Sequence, residues 1–156
     1  ACARLFCRLS DPQQNAGGGT KKVTDPFEIY LREVIARTLR DGGSASRPNR
    51  LEFFTARDLW CFPKYPARTA ILPHTVDLAF EIKEFIAKNA SYLEEEDCWL
   101  GTWVNPRSGE YYLDVSTGIH DLAMARQLAM EAGKREGRNI VALFNPQKSQ
   151  TIYLND

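Results

Sequence analysis

Two short runs constrain the fold more than any other part of this 156-residue chain. Trp99 to Val104 and Glu110 to Val115 flank Asn105-Pro106-Arg107-Ser108-Gly109, five residues with Pro placed for a type I turn and Gly where a positive φ is wanted. That arrangement predicts a β-hairpin. Asp121 then caps a helical pattern in which Leu122, Ala125, Leu128, Ala129 and Ala132 mark one face, and the small alanines let the helix lie close on a sheet. Gly137 permits the turn out of it, Ile140 to Phe144 reads as a strand buried on both faces, and Thr151 to Leu154 pairs back across Asn145 to Gln150. Residues 99–154 therefore read as a β-β-α-β-β unit.

Upstream, Asp25 is a good N-cap, Pro26 suits the first helical position, and Glu28 falls where it can return a bond to the cap. Phe27, Leu31, Val34, Ile35 and Leu39 then lay one apolar stripe, ended by Gly42-Gly43. The polar stretch that follows, to Arg50, reads as a mobile loop. In the apolar segment from Leu51 to His74, the expected strands are Leu51 to Phe54 and Thr69 to Leu72, because Pro63, Pro66 and Pro73 forbid a long helix. Another helix, capped by Thr75 or Asp77, carries Val76, Ala79, Ile82, Phe85 and Ile86 on one face and closes near Asn89; the acidic run Glu94 to Asp97 follows as a linker. Residues 11–22, with three consecutive glycines, have the composition of a flexible connector, preceded by ACARLFCRL, which is either a short docking strand or the remnant of something longer. The expectation is one α+β domain over residues 23–156, mainly antiparallel sheet with about three helices.

With 44% apolar and 26% charged residues the chain has the composition of a folding domain. Twenty basic and twenty acidic residues cancel, so no global field draws in a polyanion or an acidic membrane. Neither a signal-peptide pattern nor an 18-residue apolar run occurs, which points to a cytoplasmic protein; Ala1 in place of Met leaves room for a removed targeting segment. Cys2, Cys7, Cys61 and Cys98 form no C-x-x-C pair, and Cys61 and Cys98, each close to Trp in an apolar stretch, read as small buried hydrophobes.

The residues able to do chemistry are few. Cys61 or Cys98 could pair with His74 or His120 as nucleophile and base, provided the fold brings them within hydrogen-bond reach of each other. Both histidines immediately precede a helix cap, where bonding a backbone group is their commoner use. The same four residues number enough for zinc, but gaps of 12, 23 and 21 residues match no paired ligand spacing, so no metal is expected; the triple glycine lacks the context of a phosphate loop, and no cofactor is expected either. Asp114 is the carboxylate to watch, since a charge inside an apolar strand must face solvent, be paired, or work. Alternation puts it on one face with Tyr112 and Ser116, and a solvent-facing edge is the simplest account. Lys64, Tyr65 and Arg68 in one loop and Arg107, Tyr111 and Tyr112 around another interleave charge with aromatic rings, as nucleic-acid platforms do. Trp60 and Trp103 are candidate interface anchors, and the proline-bracketed aromatics from Trp60 to Tyr65 are more than a small domain is expected to bury.

Leu100-Gly101-Thr102-Trp103-Val104, Tyr112-Leu113-Asp114-Val115-Ser116 and the helix leading to Ile140-Val141-Ala142-Leu143-Phe144-Asn145-Pro146 resemble small domains of unknown function in bacteriophage and other mobile-element accessory proteins. The resemblance covers residues 99–154, brings no catalytic residues with it, and implies an accessory or interaction module of bacterial or phage origin. The helix extension Gly133 to Gly137 departs from the pattern. The sequence thus points to a non-catalytic module whose partner is another protein. Its rivals are a small hydrolase or transferase using Cys or His with a carboxylate, and a nucleic-acid-binding module.

Overall fold

The Asp25 carboxylate accepts the Phe27 amide at 3.0 Å and opens α1, Pro26–Asp41, which Gly42 closes in the left-handed conformation at φ 83°. The computed structural model to which these contacts belong describes residues 24–155, so residues 1–22, expected to hold a connector preceded by either a docking strand or a remnant, lie outside the described residues. Glu28 does not return to the cap; it pairs with Lys83 at 2.6 Å on α2, Leu78–Lys88. The buried stripe of α1 is Tyr30, Leu31, Val34 and Thr38. Leu39, expected in that stripe, is 59% exposed. Thr38 replaces it because its hydroxyl donates to the Val34 carbonyl at 2.7 Å and also meets the Thr102 hydroxyl, so a buried polar atom is satisfied.

Asp77 caps α2 through the Phe80 amide at 3.2 Å, and Leu78, Ile82 and Phe85 face inward, while Val76 precedes the helix. A short helix, α3, Ala90–Leu93, follows and was not expected. Asp121 caps α4, Leu122–Glu136, through the Met124 amide at 2.7 Å, and Gly137 ends it at φ 66°. Its buried face is Ala125, Ala129, Ala132 and Gly133; Leu128, expected there, is 37% exposed. The alanine ridge makes the approach to the sheet close, which leaves Leu128 at the rim.

The strands are β1 Gly43–Arg47, β2 Glu52–Phe53, β3 Trp60–Pro63, β4 Ala70–Leu72, β5 Trp99–Val104, β6 Tyr111–Ile119, β7 Ala142–Asn145 and β8 Gln150–Tyr153. They form one antiparallel sheet in the order β2-β1-β5-β6-β3-β7-β8, with β4 also on β6, so the α+β class expected from the sequence is the class observed. The segment expected as a mobile loop is in part β1, in register with β5 from Gly43 opposite Trp103 to Ser46 opposite Leu100. Strand β3 was also not foreseen; it lies between β6 and β7, so the two hairpins of residues 99–154 are not neighbours in the sheet.

β3 and β4 are two stretches of one line along β6. Trp60 to Pro63 face Ile119 to Ser116, the Lys64 amide donates to the Val115 carbonyl at 2.9 Å, and Ala70 to Leu72 face Leu113 to Tyr111. Between them the chain leaves the sheet through a 3₁₀ turn at Pro66–Arg68, opposite Asp114. Leu113 and Val115 join Leu31, Val34, Ile82, Phe85 and Leu100 in one core. Trp60, Phe62, Ile140 and Leu143 form a second core against the α4 alanines. The other face of β6 carries Tyr112, Asp114 and Ser116, and the sheet curls toward it far enough for Trp103 on β5 to come within 6.5 Å of Tyr153 on β8, ring to ring. Among the described residues no helix is long and apolar enough to cross a membrane.

Gly43 lets β1 approach β5, since a Cβ there would lie 2.5 Å from the Thr102 carbonyl oxygen, a backbone atom with little room to retreat. Gly43→Ala is expected to lower stability in urea unfolding by about 1–3 kcal/mol. No change would contradict the β1–β5 register.

Candidate functional site

Asp114 sits where β6 loses its partner strand. Residues 65–69 swing out opposite it and return with Thr69, whose hydroxyl donates to Asp114 Oδ1 at 2.6 Å. Arg138, just past α4, donates to the Thr69 carbonyl at 2.7 Å and lends the carboxylate a longer-range positive charge. Protein crowds the carboxyl although the residue keeps some exposed surface, and burial pushes its pKa up to about 6, against the lowering influence of Thr69 and Arg138. The expected solvent-facing edge is therefore corrected: the face was assigned properly by alternation, but the curl and the chain from Arg138 to Ala142 cover it. What remains is a cavity of about 50 Å³ bordered by Trp103, Tyr112 and Ile140, with room for a few water molecules.

The loop singled out for nucleic acid spends its charges internally. Lys64 Nζ lies 2.7 Å from Glu95 and 3.0 Å from Asp97; partial burial opposes its charge, but these two hydrogen bonds hold its pKa above the ordinary lysine value. Tyr65 donates to Glu95 at 2.7 Å, which raises the phenol and, with Lys64, lowers the Glu95 carboxyl. Arg68 stacks on Tyr92 at 3.8 Å and bonds Asn89 and the Tyr92 hydroxyl. Arg107 lies over Tyr153 at 3.4 Å. Glu95, Asp97 and Cys98 are close enough to share a cation, but the Lys64 ammonium already bonds both carboxylates.

The candidate nucleophiles are suppressed. Burial pushes the Cys61 thiol up to about 12, and burial with the neighbouring Asp97 and Glu95 charges does the same at Cys98. His74 and His120 are exposed, and among the described residues no hydrogen bond joins either to a cysteine. Trp60, a candidate anchor, is 4% exposed and belongs to the second core; Phe62 is buried with it, so the aromatics of β3 are not left over. Trp103 is half-buried against Tyr112, which is itself buried.

A second concavity lies elsewhere, at the β2 edge of the sheet. An open groove of about 510 Å³ runs between α1 and β2, with Ile29, Tyr30, Glu33 and Ala36 on one wall and Leu51 and Phe53 on the other. Ile29 is 55% exposed and Leu51 39%. Leu51 adopts φ 54°, a left-handed conformation that costs a leucine about 1–2 kcal/mol. Sequence reasoning missed Thr69 and Arg138, which no spacing connects to Asp114. It also passed over the groove, although Ile29, an apolar residue outside the α1 stripe, was a readable sign of it.

Asp114 generates a pH prediction. Its folded-state pKa of about 6 lies above its ordinary 3.8, so the folded state favours the protonated form; that stabilisation is complete below about pH 3.8 and is lost as pH rises through 6. Asp114→Asn should match the wild type near pH 3.5 and exceed it above pH 6.5, by roughly 3 kcal/mol at most. Denaturant titrations across pH measure this, and a difference independent of pH would contradict it. Cys61 and Cys98 should react with iodoacetamide about 10³-fold more slowly than glutathione at pH 8, read by peptide mass mapping, whereas rates near that of a free thiol would contradict their burial. The chain matches no protein-family model, no curated protein and no solved structure.

Proposed function

We propose that this chain is a non-catalytic protein-interaction module that receives an extended, alternately apolar segment of a partner protein in the groove between α1 and β2. The observation that carries this reading is Leu51. A residue strained into the left-handed region, with an exposed apolar side chain lining the same groove as the exposed Ile29, is poor for stability and suited to contact. Strand β2 is two residues long and has no neighbour on its outer side among the described residues, so an added strand can extend the sheet there while its side chains fill the groove. The resemblance of residues 99–154 to phage and mobile-element domains supports an accessory role in that setting.

One observation favours a second reading, a small hydrolase or transferase: the raised proton affinity of Asp114 in its cleft. Against it stand a cavity sized for water and two thiols held in the unreactive form. A nucleic-acid module has less support, because Lys64 and Arg68 are engaged by Glu95, Asp97, Asn89 and Tyr92.

Selection from a library of displayed peptides should enrich sequences with apolar residues at alternate positions. Their binding should fall at least tenfold with Ile29→Asp and with Leu51→Gly. The glycine variant, freed of strain, should keep or gain stability, by up to about 1 kcal/mol. No enrichment, or binding indifferent to both substitutions, would overturn the proposal.

A further inference from the structure

We infer that the segment received between α1 and β2 is an acidic one, and that Arg37 takes one of its carboxylates. This rests on the proposed function above and adds the chemistry of the partner. Arg37 stands beside the groove. Its guanidinium lies 4.0 Å over the ring of Phe53, which lines one wall, and its Nε donates at 2.7 Å to Glu33, which lines the other. The stack and the hydrogen bond fix the plane of the guanidinium before any partner arrives.

Of the N–H groups of that guanidinium, only the one on Nε meets an acceptor among the described residues, and the side chain is 35% exposed. The two terminal nitrogens are left as a fork whose spacing a carboxylate matches. Surrounding charge favours the same class of partner. Glu33 is the one carboxylate on the groove walls and already pairs with Arg37, whereas Arg32, exposed on the same helix wall, has no ion pair among the described residues. Glu52 does not offset this, because alternation sends it to the opposite face of β2 from Phe53, where its register partner on β1 is Arg47.

Spacing adds a motif. Ile29 and Arg37 lie on α1 about 12 Å apart along its axis. An extended segment running along the helix covers that distance in about four residues, an even number, so the side chain against Ile29 and the one against Arg37 enter the groove from the same face. The partner therefore carries Asp or Glu about four positions from an apolar anchor, with a second apolar residue between them. A basic side chain at that place would meet Arg37 and Arg32, so the same pair that attracts acidic segments repels basic ones.

The test is fluorescence anisotropy on the full chain with three labelled synthetic peptides. Each has two leucines at alternate positions and, at the next alternate position, glutamate, glutamine or lysine, and each is made in both chain orders. The glutamate peptide should bind about tenfold more tightly than the glutamine one, and the lysine peptide least well. Arg37→Gln should erase the difference between the first two, and Arg37→Lys, which keeps the charge without the fork, should restore only part of it. Arg32→Gln, at an exposed position that the fold does not depend on, should weaken the glutamate peptide about threefold. Three peptides that bind alike, all weakened by Ile29→Asp, would overturn the acidic preference and leave the docking function standing. If none of the three binds, the inference is overturned, and the docking function falls with it only where the display selection also enriches nothing. An oligothymidine that binds more tightly than the glutamate peptide, and loses that binding with Arg37→Gln, would assign the site to a phosphate backbone and overturn the inference as well.

Discussion

Nine residues of β6, Tyr111–Ile119, hold the fold together by pairing with three strands at once: β5 along one edge, β3 and β4 in succession along the other. Because β3 and β4 share an edge, the chain between them has to leave the sheet and come back, and the place it leaves is opposite Asp114. The main peculiarities of the interior follow from this break. Asp114 lacks a cross-strand neighbour on that side and takes the Thr69 hydroxyl instead. Arg138 ties the returning backbone at Thr69 to the end of α4, which links the two hydrophobic cores.

The arrangement also accounts for where charge lies. Lys64 leaves β3 at the start of the excursion and meets Glu95 and Asp97 beside β5, so the acidic run that reads as a solvated linker serves in part as a counter-charge for the loop. The positive groups of this loop, Lys64 and Arg68, are engaged locally by Glu95, Asp97, Asn89 and Tyr92. At the α1–β2 edge the exposed apolar surface is concave.

Much of this was legible in the sequence. The β5–β6 hairpin, the caps Asp25 and Asp121, the αL glycines Gly42 and Gly137, and the α+β class follow from local rules that need no tertiary context. β1 did not, because Gly-Ser-Ala-Ser-Arg has the composition of a loop and becomes a strand only when β5 supplies its partners. Asp114 was found but misplaced: alternation gives the face of a strand and says nothing of whether a curled sheet closes over that face. Leu128 and Leu39 failed for a related reason, since helical periodicity marks a stripe while close packing by alanines or a satisfied threonine decides which side of it is buried. The groove depends on a backbone angle at Leu51 that no pattern in the sequence announces.

The account stands most directly on where a ligand strand lies. A crystal structure with a peptide from the display selection should show a strand added on the outer side of β2, its apolar side chains resting on Ile29 and Ala36 and against Leu51. A peptide bound instead over the exposed face of α4, or at the mouth of the Asp114 cleft, would contradict it.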